Sequence, residues 1–354
     1  MARGPGRTSG KTILTFAKAL ESASKTPPHL VLGNGFSIAL FPQIFQYGAL
    51  FDQADFSILV GPGRKIFDAL GTRDFEAVIH GLRTSARVLK VYAPNRVLLR
   101  RSMLRDARRL REILVRTIAG NHPEHPDWVP RNAYIACRKF LSNFKSYYTL
   151  NYDLLLYWTI MQADLEPAIH ADDGFRTPED GPDGYVTWDE GADSQNLFYL
   201  HGALHLFDAG IELRKFTWIN TGIRLMEQIH QALKAGLFPL VVTEGEAEAK
   251  RERIMHNAYL HRGLRSFRRI GGTLFIFGHS LHSSDAHILR AIARNRRLRD
   301  VFVSIYGDPD SPSNRRLQAD GKRLEAESDG RIRVAFYDAE SAEVWGPAHT
   351  LSDA

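Results

Sequence analysis

Two hydrophobic patterns alternate along this chain. Short continuous apolar runs at 30–32, 147–150, 197–200, 237–242, 273–277, 301–306 and 332–337 have the length of buried strands, and most lead into a turn or a helical pattern. A strand that is apolar on both sides needs cover on both. The alternation therefore predicts an α/β fold, a Rossmann-like parallel sheet with helices on both faces. Between about 74 and 145 the period lengthens: Phe75, Val78, Ile79 and Leu82 share one helical face, as do Leu104, Leu110, Leu114 and Ile118. This stretch predicts a helical insertion, broken at 121–130 by His122, Pro123, His125 and Pro126 and resumed as a helix over 134–144.

The remaining segments are less regular. Residues 1–27 form a basic N-terminal extension in which 13–20 can make a short docking helix; 28–345 read as one domain and 346–354 as a tail. Residues 166–195, rich in Asp, Gly and Pro, predict a surface excursion with no core of its own. The aromatics Phe36, Phe41, Phe45, Phe51 and Phe56 follow no period and suit either a cover over a site or plain core.

Composition narrows the class of protein. The chain has 354 residues, 44% of them hydrophobic, enough for a full core. A single cysteine, Cys137, excludes both an internal disulfide framework and a cysteine-built zinc ribbon and suits a reducing cytoplasm. No apolar run has the length of a membrane span, and the first residues lack the apolar core of a secretory leader, so a cytoplasmic protein without membrane association is expected. Lys and Arg number 46 against 40 acidic residues, and arginines crowd 83–116 and 262–299. Such stretches suit a solvated face, an oligomer interface or a polyanion.

In an open parallel sheet, ligands bind beyond the carboxyl ends of the strands. The residues to inspect therefore follow the apolar runs. They are Gly33, Asn34, Gly35, Phe36 and Ser37 after the first; Asn151, Tyr152 and Asp153 after the second; His201 and Gly202 after the third; and Gly278, His279, Ser280 and Asp285 after the run at 273–277. A small-residue turn lets a phosphate approach backbone N–H groups, and a helix beginning near Ser37 would add a favourable dipole. Glu244 is a further carboxylate at the same edge. Each residue also has a plainer role: Asp153 and Asp285 as helix caps, His201 as a buried histidine satisfied by backbone. His279, His282, Asp285 and His287 lie close in sequence but lack regular ligand spacing, and no metal is expected from them.

In order and spacing, Gly-Asn-Gly-Phe-Ser, then Thr149 to Asp153, then Leu200-His201-Gly202, then Gly278-His279-Ser280 with Asp285, the chain resembles the bacterial sirtuin-like family of antiphage defence effectors. Asn34 replaces the alanine of the usual Gly-Ala-Gly. The resemblance implies a domain that takes NAD as substrate, with Asn151 and Asp153 beside the nicotinamide ribose, His201 required for catalysis and Gly278 to Ser280 along the adenosine side. It further implies an NAD glycohydrolase, active as a homo-oligomer or partner-activated assembly. Transfer of ADP-ribose to another acceptor is a second enzymatic reading. Deacylation is a third, disfavoured because the four-cysteine module of such enzymes is missing. A non-catalytic module binding NAD or nucleic acid is the alternative outside enzymes.

Overall fold

The structure, a computed structural model, describes residues 13–23, 26–178, 185–210, 212–217, 224–243 and 247–347. Glu244, most of the N-terminal extension and the end of the tail lie outside the described residues. The strands are β1 (His29–Leu32), β2 (Ser146–Thr149), β3 (Phe175–Arg176), β4 (Tyr185–Trp188), β5 (Leu197–Tyr199), β6 (Leu206–Asp208), β7 (Leu213–Phe216), β8 (Gly272–Phe277), β9 (Leu298–Ile305) and β10 (Arg333–Asp338).

Six of them form one parallel sheet in the order β10-β9-β8-β1-β2-β5, flanked by helices. Strands β1, β2 and β5 are buried along their whole length, as sheet cover on both faces requires. From β1 the chain steps outward through β2 to β5, then crosses back to place β8, β9 and β10 on the other side. The order therefore reverses between β1 and β8, the topological switch point of a Rossmann-like sheet.

The N-terminal segment docks as its apolar residues suggest. Leu14 pairs with Tyr337 beside β10, and Phe16 at the start of the helix Phe16–Glu21 meets the rings of Phe140, Phe144, Phe275 and Tyr337. The insertion is a long helical hairpin, Phe75–Tyr92 and Val97–Asn121, followed by Arg131–Leu141, which leads into β2. Asp74 starts the hairpin by accepting hydrogen bonds from the backbone N–H groups of Glu76 and Ala77. The irregular aromatic stretch folds as three short helices, Gly35–Ile38, Pro42–Phe45 and Tyr47–Gln53, with Phe36, Phe45 and Phe51 in the core.

Two expectations are corrected. The apolar run at 237–242 is not a strand; only Val241 pairs, with Gly202. Its backbone bonds are spent on the turn after β5: Ala203 N–H donates to Leu240 O, Leu240 N–H to Leu206 O, and Val242 N–H to His201 O. The excursion at 166–195 does build structure, since β3 and β4 join β6 and β7 in an antiparallel sheet of order β3-β4-β7-β6. Phe175 and Trp188 pack their rings on Tyr259, giving the excursion an apolar anchor that its polar composition hides.

Candidate functional site

The carboxyl ends of four neighbouring strands align. Leu32 pairs with Thr149 on one side and Phe277 on the other, and Thr149 pairs with Tyr199. Asn151 and His201 each follow their strand by two residues, so they leave adjacent parallel strands side by side. Gly33 and Gly278 do the same across the switch point.

The glycines there serve backbone packing. Gly33 N–H donates to Phe277 O and Gly35 N–H to Gly278 O. A Cβ on Gly33 would lie 2.7 Å from Gly278 O, and one on Gly35 would lie 2.6 Å from Gly278 Cα. The two turns are thus pressed together, and the Gly35 N–H expected to meet a phosphate is already bonded. The helix beginning at Gly35 has only four residues, short of the dipole anticipated near Ser37. Gly202 is of the same kind: with φ at +78° and a hypothetical Cβ 1.8 Å from Leu240 O, it makes room for the neighbouring chain. Phe36 is core, its ring against Trp345 and its carbonyl accepting from Trp345 Nε1. Asn34 spends its side-chain amide on Phe45 O, and Ser280 is exposed on the turn. The cofactor contacts expected of Gly33, Gly35, Phe36 and Gly202 are therefore corrected to structural roles.

Behind these turns lies a buried polar cluster. Asn151 Nδ2 donates to Ser37 Oγ at 3.0 Å, and Ser37 donates to Asp153 Oδ2 at 2.6 Å. Asp153 Oδ1 accepts from Leu155 N–H, so the capping role coexists with the cluster. Burial raises the Asp153 carboxyl above its ordinary range, against the hydrogen bonds from Ser37 and Leu155.

A second cluster surrounds Asp285. Although Asp285 stands at the helix N-cap, its side chain caps nothing. Its carboxylate accepts from Lys250 Nζ at 2.8 Å and His279 Nε2 at 3.1 Å and lies 3.8 Å from His201 Nε2. Residues following β5 and β8, separated in the sheet by β1 and β2, thus meet on one side chain. Lys250 also bonds Glu76 at 2.5 Å, and the single Tyr152 O–H lies 2.7 Å from Val242 O and 3.1 Å from Glu76 Oε1. Since Val242 N–H donates to His201 O, Tyr152 joins the segment carrying Asn151 and Asp153 to this cluster.

Its charges follow from burial and neighbours. Burial alone would raise Asp285, yet the Lys250 ammonium and the His279 bond hold it well below the usual carboxylate range. Burial lifts Glu76 despite Lys250, and the two carboxylates keep Lys250 protonated against its own burial. Burial holds His201 well below its ordinary value, so the imidazole is neutral. Its Nε2 lies 3.0 Å from Nε2 of His287, and one of the two nitrogens is the donor.

His201, Asp285 and His287 offer donor atoms within 4.8 Å of one another, a set a divalent cation could use. Lys250 already supplies positive charge to Asp285. The grouping differs from the adjacent histidines of the sequence, since His282 accepts from Ser284 N–H as a turn cap. Glu76 and Lys250 went unnoticed in the sequence, and His287 was considered there only as a metal ligand beside its neighbours. Each lies within or at the start of a helix and reaches the site only through tertiary contact.

These buried imidazoles make stability depend on pH. Burial lowers His29, His122 and His287 to about 4 each. From pH 6.5 down to about 4 the unfolded chain takes up protons at these positions and the folded chain does not. Their contribution is thus intact above pH 6.5 and lost as pH falls, at up to about 1.4 kcal/mol per pH unit for each histidine. Urea midpoints are expected to drop steeply between pH 7 and pH 5; equal midpoints would contradict the burial of neutral imidazoles.

A separate cavity of about 240 Å³ lies at the other end of β5, lined by Leu197, Tyr157, Phe175, Asp173 and Lys215 among others. Lys215 bonds Asp173 at 2.5 Å and lies over the rings of Tyr157 and Phe175. Its charge and apolar stem are thereby both satisfied.

Residues 30–345 match the family described as a domain of unknown function (DUF4917), and the chain belongs to that family. No curated protein matches it. The family match covers both clusters and all of the parallel sheet but its first residue, His29.

Proposed function

We propose that this protein is an NAD glycohydrolase, cleaving NAD to nicotinamide and ADP-ribose as a toxic effector of bacterial antiphage defence. The supporting observation is the alignment of Asn151 and His201 just beyond the carboxyl ends of the adjacent parallel strands β2 and β5, with Asp153 and Asp285 close by. The sequence resemblance adds the choice of NAD and the defence setting.

Breaking the nicotinamide C–N bond leaves an oxocarbenium-like ribose, so the site must orient a sugar, stabilise positive charge and deliver water. Asn151 holds a ribose hydroxyl in this reading. Asp153 faces the developing cation. Water adds to the anomeric carbon and gives its proton to neutral His201, while Asp285, fixed by Lys250 and His279, stabilises the imidazolium. Nicotinamide leaves with the bonding electron pair, and the proton then passes to solvent. Ser37, Asn151, Asp153 and His201 are buried whereas Tyr152, Glu76, His279 and Asp285 are partly exposed, so in this reading substrate enters past the second group.

The test is incubation of the purified chain with NAD and chromatography of the products. Equal amounts of nicotinamide and ADP-ribose are expected. Intact NAD after incubation with the chain in both its monomeric and assembled forms would overturn the reading.

A further inference from the structure

The tip of the helical hairpin stands clear of the body. No residue from 87 to 105 is buried, whereas Ala86 before it and Asp106 after it are. The second helix alone runs about 13 Å, nine residues at 1.5 Å each, before its first buried position. Apolar side chains stand in solvent on this arm: Val91, Tyr92 and Leu98 are 78%, 86% and 77% exposed, and Val88 and Leu99 are exposed beside them. Met103 near the base of the arm packs against the core, but the exposed cluster at its tip does not, and such a cluster marks a contact surface.

Charge selects the partner. Residues 83–105 contain Arg83, Arg87, Lys90, Arg96, Arg100, Arg101 and Arg105 and no Asp or Glu. A second copy would bring the same sign against itself, so the surface suits an anionic partner. Tyr92 is the one side chain among these with a flat face for a base to stack on, whereas Val88, Val91, Leu98 and Leu99 are aliphatic, and aliphatic side chains among cations match the boundary between anionic head groups and acyl chains. Among the described residues no helix is long and apolar enough to cross a membrane, so the contact is with a surface and departs from the sequence expectation only in that peripheral association. We infer that the hairpin tip docks this protein onto an anionic phospholipid bilayer, Leu98 and Val91 entering the interface and the surrounding arginines pairing with phosphates. This contact is independent of the proposed NAD chemistry.

Sedimentation with vesicles tests it. The chain is expected to pellet with phosphatidylcholine vesicles containing phosphatidylserine, to stay in the supernatant with phosphatidylcholine alone, and to be released by salt. Val91→Glu and Leu98→Glu, both at exposed positions, are expected to abolish pelleting without moving the thermal melt. Arg100→Gln should weaken it about fivefold, the effect of one basic residue at an anionic surface. His201→Ala should pellet like the wild type, separating this result from that of NAD cleavage. Equal partitioning with both vesicle types would overturn the inference. So would a concentration-dependent dimer, or salt-sensitive binding to duplex nucleic acid, that accounts for the surface without lipid.

Discussion

The His201→Ala variant is expected to release nicotinamide from NAD about 10²- to 10⁴-fold more slowly than the wild type, the range supplied by one positioned acid-base group. His201 is 2% exposed, neutral, and 3.8 Å from a carboxylate that Lys250 and His279 hold in place. Alanine removes the proton acceptor and leaves that frame standing. Because it also opens a small cavity beside His287, each rate is to be read with a thermal melt. Asn151→Ala, which frees Ser37 Oγ from one donor, is expected to cut turnover as well. Undiminished turnover in both variants would remove the catalytic assignment.

Lys250→Met is expected to cost about 3 kcal/mol or more of folding stability, the usual penalty for removing one partner of a buried ion pair. The Lys250 side chain is 1% exposed and joins Glu76 to Asp285, carboxylates drawn from a helix start and from the turn after β8. Methionine matches the stem and removes the charge, so two poorly hydrated carboxylates face each other. Their partial exposure, 16% and 15%, keeps the cost near the lower end of the range. Adding Glu76→Gln removes one of the two charges and is expected to recover part of the loss. Denaturant melts of the single and double variants decide the matter, and an unchanged midpoint for Lys250→Met would show that the ion pair carries no stability.

The parallel sheet was legible because a strand buried on both faces must be apolar throughout. The runs at 30–32 and 273–277 therefore announce β1 and β8 within a residue or two. The run at 237–242 has the same composition, but its backbone partners lie in the turn after β5, a choice no local pattern records. Members of the two buried polar clusters were legible where position alone points to them, immediately after a strand, as with Asn151 and His201. Lys250 was not, because the helix Ala247–Met255 has little apolar face and its lysine looks like any solvated one. Glu76 follows the N-cap Asp74 and reads as an ordinary first-turn acid, although its side chain bonds a lysine 174 positions away. The glycines misled for a related reason: Gly33, Gly35 and Gly278 are small because two backbones touch, and sequence cannot tell that from room for a phosphate.

The central claim is that these separated segments form one nucleotide site, and a crystal structure of His201→Ala with NAD tests it directly. The account expects the nicotinamide ribose within hydrogen-bonding distance of Asn151 and Asp153, beyond the carboxyl ends of β2 and β5. NAD bound elsewhere, or an empty carboxyl edge at saturating NAD, would contradict it.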